Sequence, residues 1–216
     1  MSENRGFEIK GRLFNEKNMF SRIERTAHDE GLEQTSRALI YMREHHEGQF
    51  RRKNPLSDVE VPYINHPLMM ACHATALGIH DDNMLTSILI HDVVEDTEVT
   101  VDDLPFSEEV KQIVSLLTFT VPEGVEKEYA RVDYYERISH NPKATIIKLI
   151  DRCNNVSTMA GNFTKERLVK YVKETETHII PLFDVIKNEY PEYRDIAFIL
   201  KYHITSVLEA VKNLII

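Results

Sequence analysis

Residues 91–96 read HDVVED, one histidine and three carboxylates within six positions. On a helix His91 and Glu95 stand at i, i+4, with Asp92 and Asp96 offset by one position, so four polar groups share one side. The turns just upstream carry Met84, Leu85, Ile88 and Leu89, which places the cluster where a buried helix meets the edge of a core. Charge gathered there needs hydrogen bonds, an opposite charge or a bound cation. Two further segments offer ligands of the same kind: YINHP, with His66 before a proline, and IKLIDRCNN, with Asp151 after an apolar helical stretch. His66, His91, Asp92 and Asp151 would supply two nitrogens and two oxygens from three helices. That set suits a borderline divalent ion such as Mn²⁺, with positions left for water and a phosphate oxygen.

The elements that must position these groups are helices. Seven glycines and eight prolines punctuate 216 residues, and between them apolar residues recur at helical spacing, which predicts an all-α, compact multi-helix fold. Pro67 is placed as a first helical residue, with Gly78 as the stop. Asp81 or Asp82 caps a second helix expected to run to about Val94. Ser107 caps a third, with Val110, Ile113, Val114 and Leu117 on its apolar face. A weaker segment, residues 126–139, has Tyr129, Val132, Tyr135 and Ile138 on a stripe. Asn141 and Pro142 open the helix that carries Ile146, Ile147, Leu149 and Ile150. Two long C-terminal helices follow. One starts at Thr164 and is bent or interrupted near Pro181; the other starts near Tyr193, with Ile196, Ile199, Leu200, His203, Val207 and Val211 in period. Residues 1–30 are expected to form an N-terminal helix, held through Phe14, Phe20 and Ile23, or an arm.

Composition narrows the function. Lys and Arg number 26 against 35 Asp and Glu, a formal charge of -9, which argues against general nucleic-acid binding because phosphate backbones demand a basic face. Residues 1–60 are balanced, with 11 side chains of each sign, and hold the densest basic run, Arg51, Arg52 and Lys53. Two cysteines, Cys72 and Cys153, make no disulfide framework. No apolar run reaches membrane-spanning length, and a cytoplasmic protein is the expectation. The histidines outside the cluster, His45, His73, His80, His140, His178 and His203 among them, read as surface or hydrogen-bonded core residues. The C-terminal aromatic residues read as core or as packing in a homodimer.

The order H…HDxxED…D resembles that of the HD superfamily of metal-dependent phosphohydrolases. The local wording is similar to the hydrolase domain of RelA/SpoT-type enzymes and stand-alone small alarmone hydrolases. Four segments carry the likeness in order: HEGQFRR at 46–52, PYINHP at 62–67, IHDVVEDT at 90–97 and IKLIDRCNN at 147–155. The resemblance implies an HD hydrolase domain over residues 31–216, with the two C-terminal helices included, and one Mn²⁺ on His66, His91, Asp92 and Asp151. It implies that Glu95 and Asp96 position and activate the attacking water, and that Arg51, Arg52, Asn155 and Thr158 contact the nucleotide. The implied reaction removes the 3′-pyrophosphate of guanosine tetra- or pentaphosphate, giving GDP or GTP and pyrophosphate. Alternatives that keep the site are another nucleotide or a phosphorylated dinucleotide as substrate, and a nucleotide-binding module without turnover. His46 is given a structural role at its helix end. The chain departs from the pattern at KNPLSDVEV after Arg52, at Cys153 and Asn154, and at Phe119. The family's synthetase domain is not expected in this chain.

Overall fold

Four glycines mark where local chemistry ends a segment, each at positive φ. Gly31, at φ 68°, closes the first helix described, α1 (Glu16–Glu30), and the Leu32 amide returns to the Ala27 carbonyl at 2.8 Å; glycine occupies such left-handed caps without a Cβ penalty. The computed structural model describes residues 15–51, 61–159 and 163–215. Residues 15–51 with 61–111 form one compact unit, and residues 112–159 with 163–215 form a second. Among the described residues the secondary structure is helical, apart from one isolated bridge between Phe50 and Pro62.

In the first unit α1 packs on α2 (Glu33–His45) and α3 (Asn65–Ala76), and α4 (Asp82–Ile90) packs on α2 and α3. Helix α1 buries Met19, Ile23 and Ala27 at i, i+4, i+8. Of the residues expected to hold it, Ile23 is buried and Phe20 lies beneath the Arg43 guanidinium, while Phe14 falls outside the described residues. Every residue of α4 from Met84 to Ile90 is buried, which makes it the central helix of this unit. Asp81 caps it, accepting the Met84 amide at 2.8 Å.

The expected single helix to Val94 is corrected. The chain turns at His91–Asp92 and resumes as α5 (Val93–Asp96), although the Asp96 amide still reaches the Asp92 carbonyl at 2.8 Å. Pro67 is the third residue of α3 rather than its first. Helix α3 begins early enough to include His66.

Asp82 has a role that local reading does not suggest. The first turn of α2 has no side-chain cap of its own, since Leu32 occupies that place. The Asp82 carboxylate accepts the Gln34 amide at 3.0 Å, the Thr35 amide at 2.8 Å and the Thr35 hydroxyl at 2.7 Å. It therefore caps α2 from 47 residues away. Asp82→Ala takes the acceptor from two backbone amides and leaves the Thr35 hydroxyl only the longer contacts to the Asp82 backbone carbonyl and Thr86, at 3.4 and 3.5 Å; it should cost about 2–3 kcal/mol. Asp81→Ala, which removes one local cap, should cost about 1 kcal/mol. Urea unfolding of the two variants tests the order.

Helix α6 (Glu108–Leu117) leads the chain from the first unit into the second. Its expected apolar residues, Val110, Ile113, Val114 and Leu117, are all buried. In the second unit α8 (Pro142–Met159) is the centre. Asn141 caps it through the Ala144 amide at 2.9 Å, and α7 (Lys127–Ser139) packs on it. Thr164 caps α9 (Lys165–Glu174), a π-helical turn covers Thr175–Ile179, and α10 (Ile180–Glu189) follows. The interruption expected near Pro181 is this turn. Pro181 has no amide hydrogen for the Thr177 carbonyl and its ring would crowd that oxygen, so the backbone widens by one residue and the Ile180 amide bonds to Thr175.

The last helix, α11 (Arg194–Ile215), packs on α8, α9 and α10. Its buried face is Ala197, Leu200, Ile204, Leu208 and Val211, so only Leu200 and Val211 of the expected stripe are buried, while Ile199 is exposed. In α7 the expected Tyr129 and Val132 are likewise exposed, and Ala130, Tyr134, Tyr135 and Ile138 are buried. In both helices apolar residues outnumber the positions that a single contact face can cover. No helix among the described residues is long and apolar enough to cross a membrane.

Candidate metal centre

The first unit brings together three of the four residues expected to hold a metal. His66 and His91 are 3% and 4% exposed, and their rings lie 5.2 Å apart in an edge-on arrangement. Asp92 stands at the turn between α4 and α5, with its Oδ2 atom 3.0 Å from His91 Nε2 and 3.8 Å from His66 Nε2. One ligand atom from each residue falls within 4.8 Å of the others. The break at His91–Asp92 produces this placement: α4 ends at Ile90 with His91 buried just beyond it, and the turn lets Asp92 face back toward both imidazoles.

The donor chemistry fits a divalent cation. His91 Nδ1 lies 2.8 Å from the Ile88 carbonyl, which can only accept, so Nδ1 carries the proton and Nε2 presents its lone pair to the cluster. A lone pair facing a carboxylate oxygen at 3.0 Å is favourable when a cation or a proton mediates. Metal-bound histidines have this same backbone-tied arrangement. Two imidazole nitrogens and a carboxylate oxygen suit Mn²⁺, Fe²⁺ or Zn²⁺ better than they suit Ca²⁺.

Glu95 and Asp96 lie on α5, one turn beyond, and are exposed at its solvent side. Partial desolvation, followed by the like charge of Asp92, pushes the Asp96 carboxyl above its usual range; Tyr63, His46 and His91 oppose this. Tyr63, inside the PYINHP motif but given no role from sequence, donates its hydroxyl to Asp92 Oδ2. Arg51 is placed beside this motif by the backbone. Its amide bonds to the Val61 carbonyl at 2.8 Å, and the Tyr63 amide bonds to the Gln49 carbonyl at 2.9 Å. Arg52 lies outside the described residues, as does most of KNPLSDVEV.

Asp151, Asn155 and Thr158 belong to α8 of the second unit. Asp151 is 7% exposed, and both its oxygens are engaged there: Oδ2 by Lys148 Nζ at 2.9 Å and Oδ1 by Asn155 Nδ2 at 2.5 Å. Burial alone would lower the Lys148 pKa, but Asp151 and the neighbouring tyrosines hold it well above its usual value. The Thr158 hydroxyl turns back to the carbonyls of Asn154 and Asn155 at 3.4 and 3.3 Å. The departures at Cys153 and Asn154 are buried in α8, so they change packing in that helix. Phe119 meets the Tyr134 ring edge-on at 5.2 Å. The outlying histidines have ordinary partners: His80 with Glu30 at 2.7 Å, His178 with Glu128 at 3.0 Å and His203 with Ser157 at 2.8 Å.

No family model matches the chain. It is 31% identical over 193 residues to the guanosine-3′,5′-bis(diphosphate) 3′-pyrophosphohydrolase of Aquifex aeolicus, a match covering 85% of this chain and 26% of that protein. It is 37% identical over 117 residues to the mouse guanosine-3′,5′-bis(diphosphate) 3′-pyrophosphohydrolase MESH1, covering 52% of this chain and 62% of that protein. The chain thus spans less than two thirds of the length of either relative. A solved structure, described as a metazoan ortholog of SpoT that hydrolyzes ppGpp, superposes with a TM-score of 0.63 at 24% identity, covering 82% of this chain and 94% of that one. In sequence and in its helical fold, the chain is similar to the HD-type hydrolases of guanosine-3′,5′-bis(diphosphate).

Proposed function

We propose that this protein is an Mn²⁺-dependent hydrolase that removes the 3′-pyrophosphate of guanosine tetra- or pentaphosphate, leaving GDP or GTP. The observation that carries the reading is the His66–His91–Asp92 cluster with Glu95 and Asp96 one turn away, in a chain whose relatives bear that activity in their names. His66, His91 and Asp92 would hold the ion. Asp151 is assigned as a fourth ligand by its match to the family motif. When bound, such an ion lowers the pKa of a coordinated water and polarises a phosphoryl oxygen.

The chain's own groups supply the remainder. Glu95 and Asp96 orient the water and accept its proton as its oxygen attacks the phosphorus attached to the ribose 3′ oxygen. That phosphorus–oxygen bond breaks, pyrophosphate is released, and the proton taken from water passes to the ribose 3′ oxygen, which leaves as the nucleotide's hydroxyl. Desolvation and the like charge of Asp92 raise the Asp96 pKa, which makes it a stronger base than an ordinary carboxylate. Arg51 and Arg52 would bind phosphate oxygens through their forked guanidinium groups, and Asn155 and Thr158 would contact the nucleoside. A soluble guanosine nucleotide as substrate fits a cytoplasmic protein, and the exposed aromatic residues of α11 fit a homodimer.

The experiment is hydrolysis of guanosine tetraphosphate by metal-stripped protein, with and without added Mn²⁺, with nucleotide and phosphate products resolved. GDP and pyrophosphate released only with Mn²⁺ is the expected result. No turnover by protein that binds Mn²⁺, or release of orthophosphate instead, would overturn the assigned reaction.

A further inference from the structure

The HEGQ segment has no part in the reaction as written, yet it is wired to the acidic motif within the first unit. His46 ends α2, and its Nδ1 lies 2.7 Å from Gln49 Oε1. The Gln49 side-chain nitrogen donates to the Asp96 backbone carbonyl at 3.4 Å. A carbonyl only accepts, so the amide is oriented with its nitrogen toward Asp96 and its oxygen toward His46, whose Nδ1 therefore carries the proton. The His46 ring packs against the Tyr63 ring, with centroids 4.8 Å apart, and the Gln49 carbonyl accepts the Tyr63 amide at 2.9 Å. Two backbone-anchored residues thus hold the tyrosine ring on one side and the end of α5 on the other.

The Tyr63 hydroxyl is the point on which these contacts converge. It donates to Asp92 Oδ2, the oxygen that faces both imidazoles. A phenol has one proton to donate. Given to Asp92, that proton stabilises the carboxylate as an anion and fixes which way its Oδ2 atom faces. Groups of this kind behind a ligand set its orientation and basicity, and their loss typically lowers metal affinity or activity by 10–100-fold.

We propose that Tyr63 is a positioning residue of this site, its hydroxyl setting the Asp92 carboxylate and the His46–Gln49 turn bracing its ring. The metal and reaction involved rest on the function proposed above. Tyr63→Phe removes one oxygen and keeps the ring that packs on His46. By electron paramagnetic resonance of free Mn²⁺, its dissociation constant should rise about tenfold over the parent. At saturating Mn²⁺, kcat on guanosine tetraphosphate should fall about tenfold with KM within twofold, since the hydroxyl acts on the Asp92 carboxylate and not on the nucleotide. Gln49→Ala, which removes the brace from outside the carboxylates, carries the same kcat test should the first variant fold poorly. A folded Tyr63→Phe with parental Mn²⁺ affinity and parental kcat would overturn the proposal. If neither parent nor variant hydrolyses guanosine tetraphosphate, yet Mn²⁺ affinity drops about tenfold in Tyr63→Phe, the positioning role stands and the substrate assignment fails.

Discussion

Asp92→Asn should lower Mn²⁺-dependent hydrolysis of guanosine tetraphosphate by about 10³-fold or more, while the protein remains folded. Asparagine has nearly the same shape as aspartate but carries no charge and ligates a divalent ion weakly. The carboxylate it replaces is the group that faces His91 Nε2 at 3.0 Å and His66 Nε2 at 3.8 Å, so the three-residue cluster loses its only anion. A metal contributes several kcal/mol to a phosphoryl-transfer transition state, and about 4 kcal/mol corresponds to a 10³-fold change in rate. Stability should change little, because asparagine keeps the shape of the side chain, which is 23% exposed, and the Asp96-to-Asp92 backbone bond does not involve it. Steady-state rates across a Mn²⁺ titration, with thermal melting as control, make the measurement. Turnover within tenfold of the parent at saturating Mn²⁺ would remove Asp92 from the metal set. Asp151→Asn run beside it separates two roles: a comparable loss assigns Asp151 to the metal, whereas near-parental rates leave it to its pairings with Lys148 and Asn155.

Arg152→Met should destabilise the protein by about 3–5 kcal/mol, the largest effect on stability expected here. Arg152 is 3% exposed, follows Asp151 on α8 and ties that helix to the π-helical turn. Its guanidinium donates to Glu174 Oε1 at 2.7 Å, the Tyr135 hydroxyl at 3.0 Å and Thr175 Oγ1 at 3.2 Å, and lies 4.1 Å from the Tyr171 ring centroid. Methionine fills similar volume but removes all three hydrogen bonds, leaving the Glu174 carboxylate to the longer contacts from Arg131 and Tyr135, both at 3.4 Å. Arg152→Met with Glu174→Leu should recover part of the loss, because a half-buried charge left with only the weaker Arg131 contact costs more than an absent pair.

The dependence on pH has a definite sign. Burial would raise the Glu174 pKa, but Arg152 and, more weakly, Arg131 hold it below its usual 4.5. A depressed carboxyl contributes stability above its unfolded-state pKa and loses it as pH falls through the folded-state value. The gap between parent and Arg152→Met should therefore be full at pH 7 and narrow below about pH 4. Urea midpoints at both pH values test this; equal midpoints for the two proteins at pH 7 would show that the pair adds nothing.

Much of this molecule was legible along the chain. Asp81, Ser107, Asn141 and Thr164 cap helices within three residues of themselves, and Gly78 closes α3 at positive φ. Such signals depend only on neighbours in sequence, so the helices and the order of the motifs could be read directly. His66, His91 and Asp92 were identifiable because the residue types that bind a cation are few and the cluster would be costly without one.

What required the tertiary structure were choices that no neighbouring residue makes. Helices α7 and α11 carry more apolar residues than one face can bury, and the packing of α8 decided that Tyr135 and Ala197 go inward while Tyr129 and Ile199 remain outside. The turn at His91–Asp92, which aims the carboxylate at the imidazoles, lies within a stretch whose periodicity reads as one continuous helix. Asp82 looks like a local cap but spends its carboxylate on α2, and Tyr63 reaches Asp92 across 29 positions. The sequence by itself determined the helices and the chemical groups available to the site. Packing decided which faces are covered and which hydrogen bonds form, because both depend on segments distant in sequence meeting in space.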